Sequence, residues 1–274
     1  MKKRSFFFIA IVFAAGIIGC NDHKGRSTSH QTTTDNTIPA ISLSVIKAYP
    51  HDTSSFTQGL VIYKGQLYEG TGGDVDSPVS SKNSHLFKIN LQTGKAEKEL
   101  ALDEHFFGEG ITIFNDTIYQ LTWTERKVFA YTVSDFKKIK EFDINTEGWG
   151  ITHNDKELIV TDGTGNLYFY EPGTFRLLHT QSVTYNGELA YNLNELEYID
   201  GFIYANVWQQ PYILKIDPNN GLIAGRIDIS AIWERANGKE PNNVPNGIAY
   251  DADTKKIYIT GKKWPELYEV QLGQ

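Results

Sequence analysis

One carboxylate has a setting unlike the other acids of the chain. Glu109 lies in the run Phe107-Gly108-Glu109-Gly110, and the related run Phe56-Thr57-Gln58-Gly59 places an amide where the first places an acid. A carboxylate held among aromatic rings is costly to ionise, so such a group is suited to taking and returning a proton. Trp123, Trp149 and Trp208, three of the five tryptophans, recur at related places, together with Asn194, Asn246 and Lys262. Lysine and carboxamide groups can donate to developing negative charge. Aromatic walls around a few convergent polar groups are the usual form of a small-molecule site. Asn and Gln also cap turns, and Trp and Phe also pack sheets; for Glu109 the competing use is to tie down a channel loop, and the cost of ionising it there favours a functional one. The seven histidines show no HExxH or paired spacing, so a zinc hydrolase is unsupported. No metal and no cofactor is expected.

These residues belong to a repeat. Segments beginning near Thr57, Gly108, Gly148, Asn194 and Pro245 can be laid over one another, with Gly59, Gly110, Gly150, Glu195 and Gly247 in register at spacings of 51, 40, 45 and 52 residues. Each copy reads as short strands rich in Tyr, Phe and Ile, punctuated by Gly, Asn-Asp or Asp-Gly turns. Units of four strands at this period are propeller blades. The last copy has only three strands and stops, whereas residues 41–49 form a strand with no partner of their own. The pattern predicts an all-β, five-bladed β-propeller over residues 41–274, with 41–49 as the outer strand of the last blade. The one helical stretch is Ile229 to Arg235. A β-sandwich would leave both the missing strand and the spare one unexplained.

In a propeller the first strand of each blade lines the central channel, so the residue before each anchor lies at one mouth. Those residues are Gln58, Glu109, Trp149, Asn194 and Asn246. The second strand returns to the same mouth, at Gly72, Trp123, Gly163, Trp208 and Lys262. Phe56 and Phe107 stand two residues before Gln58 and Glu109. The glycines of the second set are expected to leave room for a ligand. Glu69, Glu195 and Glu197 are expected to be structural or solvent-facing.

The chain begins with Lys2, Lys3 and Arg4, followed by an apolar run from Phe6 to Ile18 and then Gly19-Cys20. The run is short for a membrane span and reads as a signal peptide over 1–19. Cys20, the only cysteine, stands where a lipobox would be cleaved and lipidated, so the protein is expected to be an exported lipoprotein, periplasmic or at the cell surface, held by a lipid anchor. One thiol makes no internal disulfide. Residues 20–40, rich in Ser, Thr, Asn and Asp, read as a disordered tether. Loss of the leader leaves 23 basic residues against 33 acidic ones, a net of −10. That balance argues against nucleic acid and against an electrostatic hold on anionic lipid.

Phe56-Thr57-Gln58-Gly59-Leu60, Phe107 to Thr112, Gly148-Trp149-Gly150, Asn194 to Glu197, Ala205 to Trp208 and Asn246 to Tyr250, the last with Gly261-Lys262 and Trp264-Pro265, together resemble the glutamine cyclotransferase family of bacteria and plants. The resemblance spans residues 41–274. It implies a five-bladed propeller that converts the N-terminal glutamine of peptides and proteins to pyroglutamate, releasing ammonia; the protein is expected to be a monomer. It further implies that Phe56, Gln58, Phe107, Glu109, Trp123, Trp149, Asn194, Trp208 and Lys262 line the site. Glu109 is then the expected proton shuttle, with Lys262, Gln58 and Asn194 available as oxyanion donors. The alternative is a non-catalytic, surface-tethered propeller that binds a small ligand or partner. A metal-dependent, lactonase-like propeller is disfavoured, because the ring offers one carboxylate beside a cation.

Overall fold

The computed structural model describes residues 37–73, 84–236, 240 and 242–273. The expected signal peptide, Cys20 and all but the end of the expected tether lie outside those residues.

Five four-stranded antiparallel blades surround a channel. The first is Phe56–Tyr63, Gln66–Gly72, His85–Asn90 and Lys95–Ala101; the second is Gly108–Phe114, Thr117–Thr122, Lys127–Thr132 and Lys138–Asp143. The third is Ile151–His153, Leu158–Val160, Asn166–Tyr170 and Leu177–Ser182, and the fourth is Leu193–Ile199, Phe202–Val207, Tyr212–Ile216 and Ile223–Asp228. The fifth has Pro245–Asp251, Lys256–Gly261 and Glu266–Leu272, and takes Leu43–Pro50 as its outer strand. The inner strands neighbour one another in cyclic order, the last packing against the first. A helix, Ser230–Arg235, follows the fourth blade and buries Ile232.

Ring closure by the N-terminal segment is as expected, with one difference. Leu43–Pro50 runs antiparallel to Glu266–Leu272, with Val45 opposite Val270. Residues Ala40–Ile41 instead pair in parallel with Ile223–Asp228 of the fourth blade, Ala40 opposite Arg226. The segment thus covers the open edges of two blades, each a row of unpaired amides and carbonyls. Gly225 permits the second contact, since a Cβ there would lie 2.5 Å from Ile41 Cδ1.

Period-two alternation gives the inner strands of a blade two buried faces, one toward each neighbouring blade, while outer strands such as Lys138–Asp143 are largely exposed. Phe129 and Tyr131 turn toward the first blade, where they pack with Tyr68 and Leu86. Val128 and Ala130, on the same strand, turn toward the third and meet Leu158 and Tyr170. Ile159 and Leu196 join blades three and four, Ile227 and Tyr268 join four and five, and Tyr49 and Leu60 join five and one. Five separate cores result, one between each neighbouring pair.

The anchor glycines mark the closest approach of neighbouring inner strands. A Cβ on Gly110 would lie 2.8 Å from Gly150 Cα, and the Gly110 amide donates to the Trp149 carbonyl at 2.8 Å. The fourth blade replaces this glycine with Glu195. Its carboxylate accepts the Ile248 amide at 2.7 Å and the Leu60 amide at 3.3 Å, reaching the fifth and first blades. Glu197 accepts from the Thr152 hydroxyl and the Tyr250 amide. Glu195 and Glu197 thus tie neighbouring blades together, and both they and Glu69 are buried. Burial raises the pKa of both channel acids, that of Glu197 to about 8.

Candidate active site

At the mouth where the inner strands begin, a cavity of about 380 Å3 is lined by Phe56, Gln58, Phe107, Glu109, Trp123, Trp149, Asn194, Trp208 and Lys262. All nine expected residues come together there, from all five blades. Gln209, Asn242 and Val244 also line it. Sequence reasoning missed these three because they lie outside the aligned strand positions. A larger cavity, about 680 Å3, opens at the opposite mouth, but it is lined by Glu197, several aspartates and no tryptophan. The larger cavity has tyrosine and phenylalanine in its lining, but the tryptophans and the buried Glu109 and Lys262 belong to the smaller one.

The backbone aims these side chains through irregularities in the ladders. Register shifts fall between Thr57 and Gly59, Gly108 and Ile111, Leu193 and Leu196, and Pro245 and Ile248. Gln58, Glu109, Asn194 and Asn246 lie in these four interruptions. A bulge turns a side chain out of the regular alternation and bends its strand, which is how it can re-aim a group at a mouth. Gly247, at φ +127, supplies the unusual backbone in the fifth blade.

The glycines of the second set do not open space for a ligand, contrary to expectation. A Cβ on Gly72 would collide with the Phe107 ring, and one on Gly163 would lie 2.6 Å from the Trp149 indole. They are slots for the aromatic walls. Phe107 meets Trp123 edge-on at 5.6 Å, and Trp149 meets Trp208 at 6.0 Å and 83°. Phe56 touches Phe107 at 6.3 Å and carries the Lys262 Nζ 4.5 Å from its ring centroid.

A relay of amides fixes the acid. Asn246 Nδ2 donates to Gln58 Oε1 at 3.1 Å and to the Thr57 carbonyl at 3.0 Å. Gln58 Nε2 then donates to Glu109 Oε1 at 3.0 Å. Asn246 stands behind the wall, fully buried, and orients Gln58. Gln58 spends one of its two N–H groups on Glu109. The Asn194 side-chain carbonyl is buried with no hydrogen-bond partner among the described residues, an acceptor suited to an N–H donor.

Burial pushes the Glu109 carboxyl well above the usual carboxylate range; the Lys262 ammonium opposes this, and Glu125 and Glu147 reinforce it. Burial lowers Lys262 to about 8, with Glu109 holding it up. Both groups are thus poised to change protonation closer to neutrality than an ordinary acid or amine.

A family model described as "Glutamine cyclotransferase" matches residues 18–272. A glutaminyl-peptide cyclotransferase of Arabidopsis thaliana is 37% identical over 237 residues, covering 85% of this chain and 72% of the relative. The chain belongs to the glutamine cyclotransferase family. The crystal structure of Myxococcus xanthus glutaminyl cyclase superposes with a TM-score of 0.79 at 33% identity, over 86% of this chain and 99% of the other.

Proposed function

We propose that this protein is a glutaminyl-peptide cyclotransferase in which Glu109 shuttles the proton. The observation that carries the assignment of the site is a buried carboxyl held by Gln58, inside the aromatic cavity and near a buried lysine. The substrate's α-amine, in its neutral form, attacks the carbon of its own γ-carboxamide. A C–N bond forms and the carbonyl oxygen becomes an oxyanion, toward which Lys262 supplies positive charge. Glu109 takes the proton from the attacking nitrogen and returns it to the amide nitrogen, which leaves as ammonia when its C–N bond breaks. The acyl group passes from one nitrogen of the substrate to another, an intramolecular acyl transfer. Asn194 Oδ1 is free to accept an N–H of the amine or amide, and the rings hold the folded side chain in the reactive geometry.

The test is release of ammonia from a peptide beginning with glutamine, with Glu109→Gln alongside. That change keeps size and hydrogen bonding while removing the titrating proton. Turnover should fall by roughly 10²–10⁴-fold, with a much smaller change in substrate affinity. Near-normal turnover in the variant would falsify the shuttle.

We further propose that the protein is exported and held in the membrane by lipid on Cys20. The support is the sequence alone: the basic start, the apolar run and the lone cysteine at its end. Cys20→Ser should leave the precursor unprocessed or release the protein from membranes; unchanged processing and detergent-dependent retention would count against lipidation.

A further inference from the structure

Four of the five aromatic walls form two pairs. Phe107 and Trp123 belong to the second blade, and Trp149 and Trp208 join the third to the fourth. One atom connects the pairs. Glu147 Oε2 accepts the Trp123 indole N–H at 2.9 Å and the Trp149 indole N–H at 3.1 Å. Taking the cavity as the glutamine site, we propose that Glu147 is a positioning residue that sets the separation of its tryptophan walls by clamping Trp123 and Trp149 together.

The backbone around Glu147 is built for this. It lies in the connection between Lys138–Asp143 and Ile151–His153, fixed on both sides. The Ile144 amide donates to the Arg126 carbonyl at 3.0 Å, and the Trp149 amide donates to the Thr161 carbonyl at 3.0 Å. Between them, the Gly148 amide donates to the Thr122 carbonyl at 3.2 Å, and a Cβ on Gly148 would lie 2.6 Å from that oxygen. The connection is pressed against the end of the strand that presents Trp123. A carboxylate oxygen has lone pairs enough for two donors, and charge-assisted bonds are stronger than neutral ones. Trp123 needs the clamp most, being 37% exposed at the mouth. Its other ring contact is with Phe107.

Cyclisation depends on holding a flexible side chain folded back on its own amine, so a small loosening of the walls is costly. Glu147→Ala should lower kcat/KM by about 100-fold, in both kcat and KM. Glu147→Gln offers an amide oxygen that can accept both indoles and should recover activity to within a few-fold of the unaltered protein. The five tryptophans give five indole N–H resonances, and two should move in the alanine variant. Should that variant not fold, Trp123→Phe removes one donor while keeping a ring, and should cost several-fold in kcat/KM. A structural role alone predicts a lower melting temperature with unchanged kcat and KM in the folded protein, and that result overturns the proposal. So does a failure of Glu147→Gln to recover, which would assign the effect to charge. The resonance shifts report the clamp whether or not glutamine is the substrate, so a protein without cyclase activity would refute the functional reading separately.

Discussion

Glu109 and Lys262 are expected to leave opposite marks on pH dependence. Glu109 has its pKa raised by burial, so between its unfolded and folded values the native state holds the extra proton. Stability therefore falls as pH rises through that window. Glu109→Gln should melt higher than the unaltered protein above the raised pKa, and the advantage should vanish below about pH 4, where both states are protonated. An equal advantage at every pH would contradict the burial of a titrating acid. Lys262 loses its charge at about 8, while the substrate amine, with a pKa of about 8, must be neutral to attack. The two limbs make kcat/KM bell-shaped. Lys262→Arg, which stays charged, should lose the alkaline limb at a lower overall rate; a fall at the same pH would remove Lys262 from the mechanism. The nine wall residues were legible in the sequence because they occupy repeated strand positions. Asn246 was placed on the ring, but its part in orienting Gln58 was not legible, since a hydrogen bond between blades leaves no trace in spacing. The slots at Gly72 and Gly163 were misread because the ring that fills each, Phe107 or Trp149, comes from a connection elsewhere in the chain.

Among elements, the N-terminal strand has a buried fastening beyond its ladder. His51, just after Leu43–Pro50, places Nδ1 2.7 Å from the Trp264 carbonyl and Nε2 3.1 Å from Glu69 Oε1. A backbone carbonyl and a carboxylate can both accept, so this setting favours a ring that donates from both nitrogens, the imidazolium. Burial alone would lower its pKa, but the Glu69 charge and hydrogen bond, helped by the Trp264 carbonyl and Asp52, leave it raised. Glu69 also accepts from the Thr57 hydroxyl at 2.8 Å, beside Gln58. Breaking a buried pair by removing one partner costs about 3 kcal/mol, so His51→Ala should melt roughly 6–12 °C lower. A group with a raised folded pKa contributes its stability below its unfolded value, about 6.5, and loses it as pH rises through the folded one. The deficit of the variant should therefore shrink in alkaline solution; a constant deficit would mean that His51 acts only by packing. Neither the pair nor the bulges that aim Gln58, Glu109 and Asn194 could be read from the chain, because alternation predicts a strand but not where its ladder slips.

For the whole molecule, the number of blades and the mode of closure were legible because the missing strand and the spare one are both local facts. The split of the N-terminal segment between two blades was not, since two residues at Ala40–Ile41 carry no pattern of their own. Removal of residues 41–49 should lower the stability of the entire propeller in a single transition; an unchanged cooperative melt would show that the ring does not need its fastening. That fastening also sets a timetable. Tyr49 donates to Glu269 across 220 residues of chain, so among the first strands to leave the ribosome is one that must wait for the last. At about 5–20 residues per second the wait is roughly 10–40 s, and through all of it the nascent chain carries unpaired sheet edges. Until translation reaches Glu266–Leu272 no closed ring can form, and a product that stops short of that strand is left as an open, adhesive sheet for chaperones and proteases to remove.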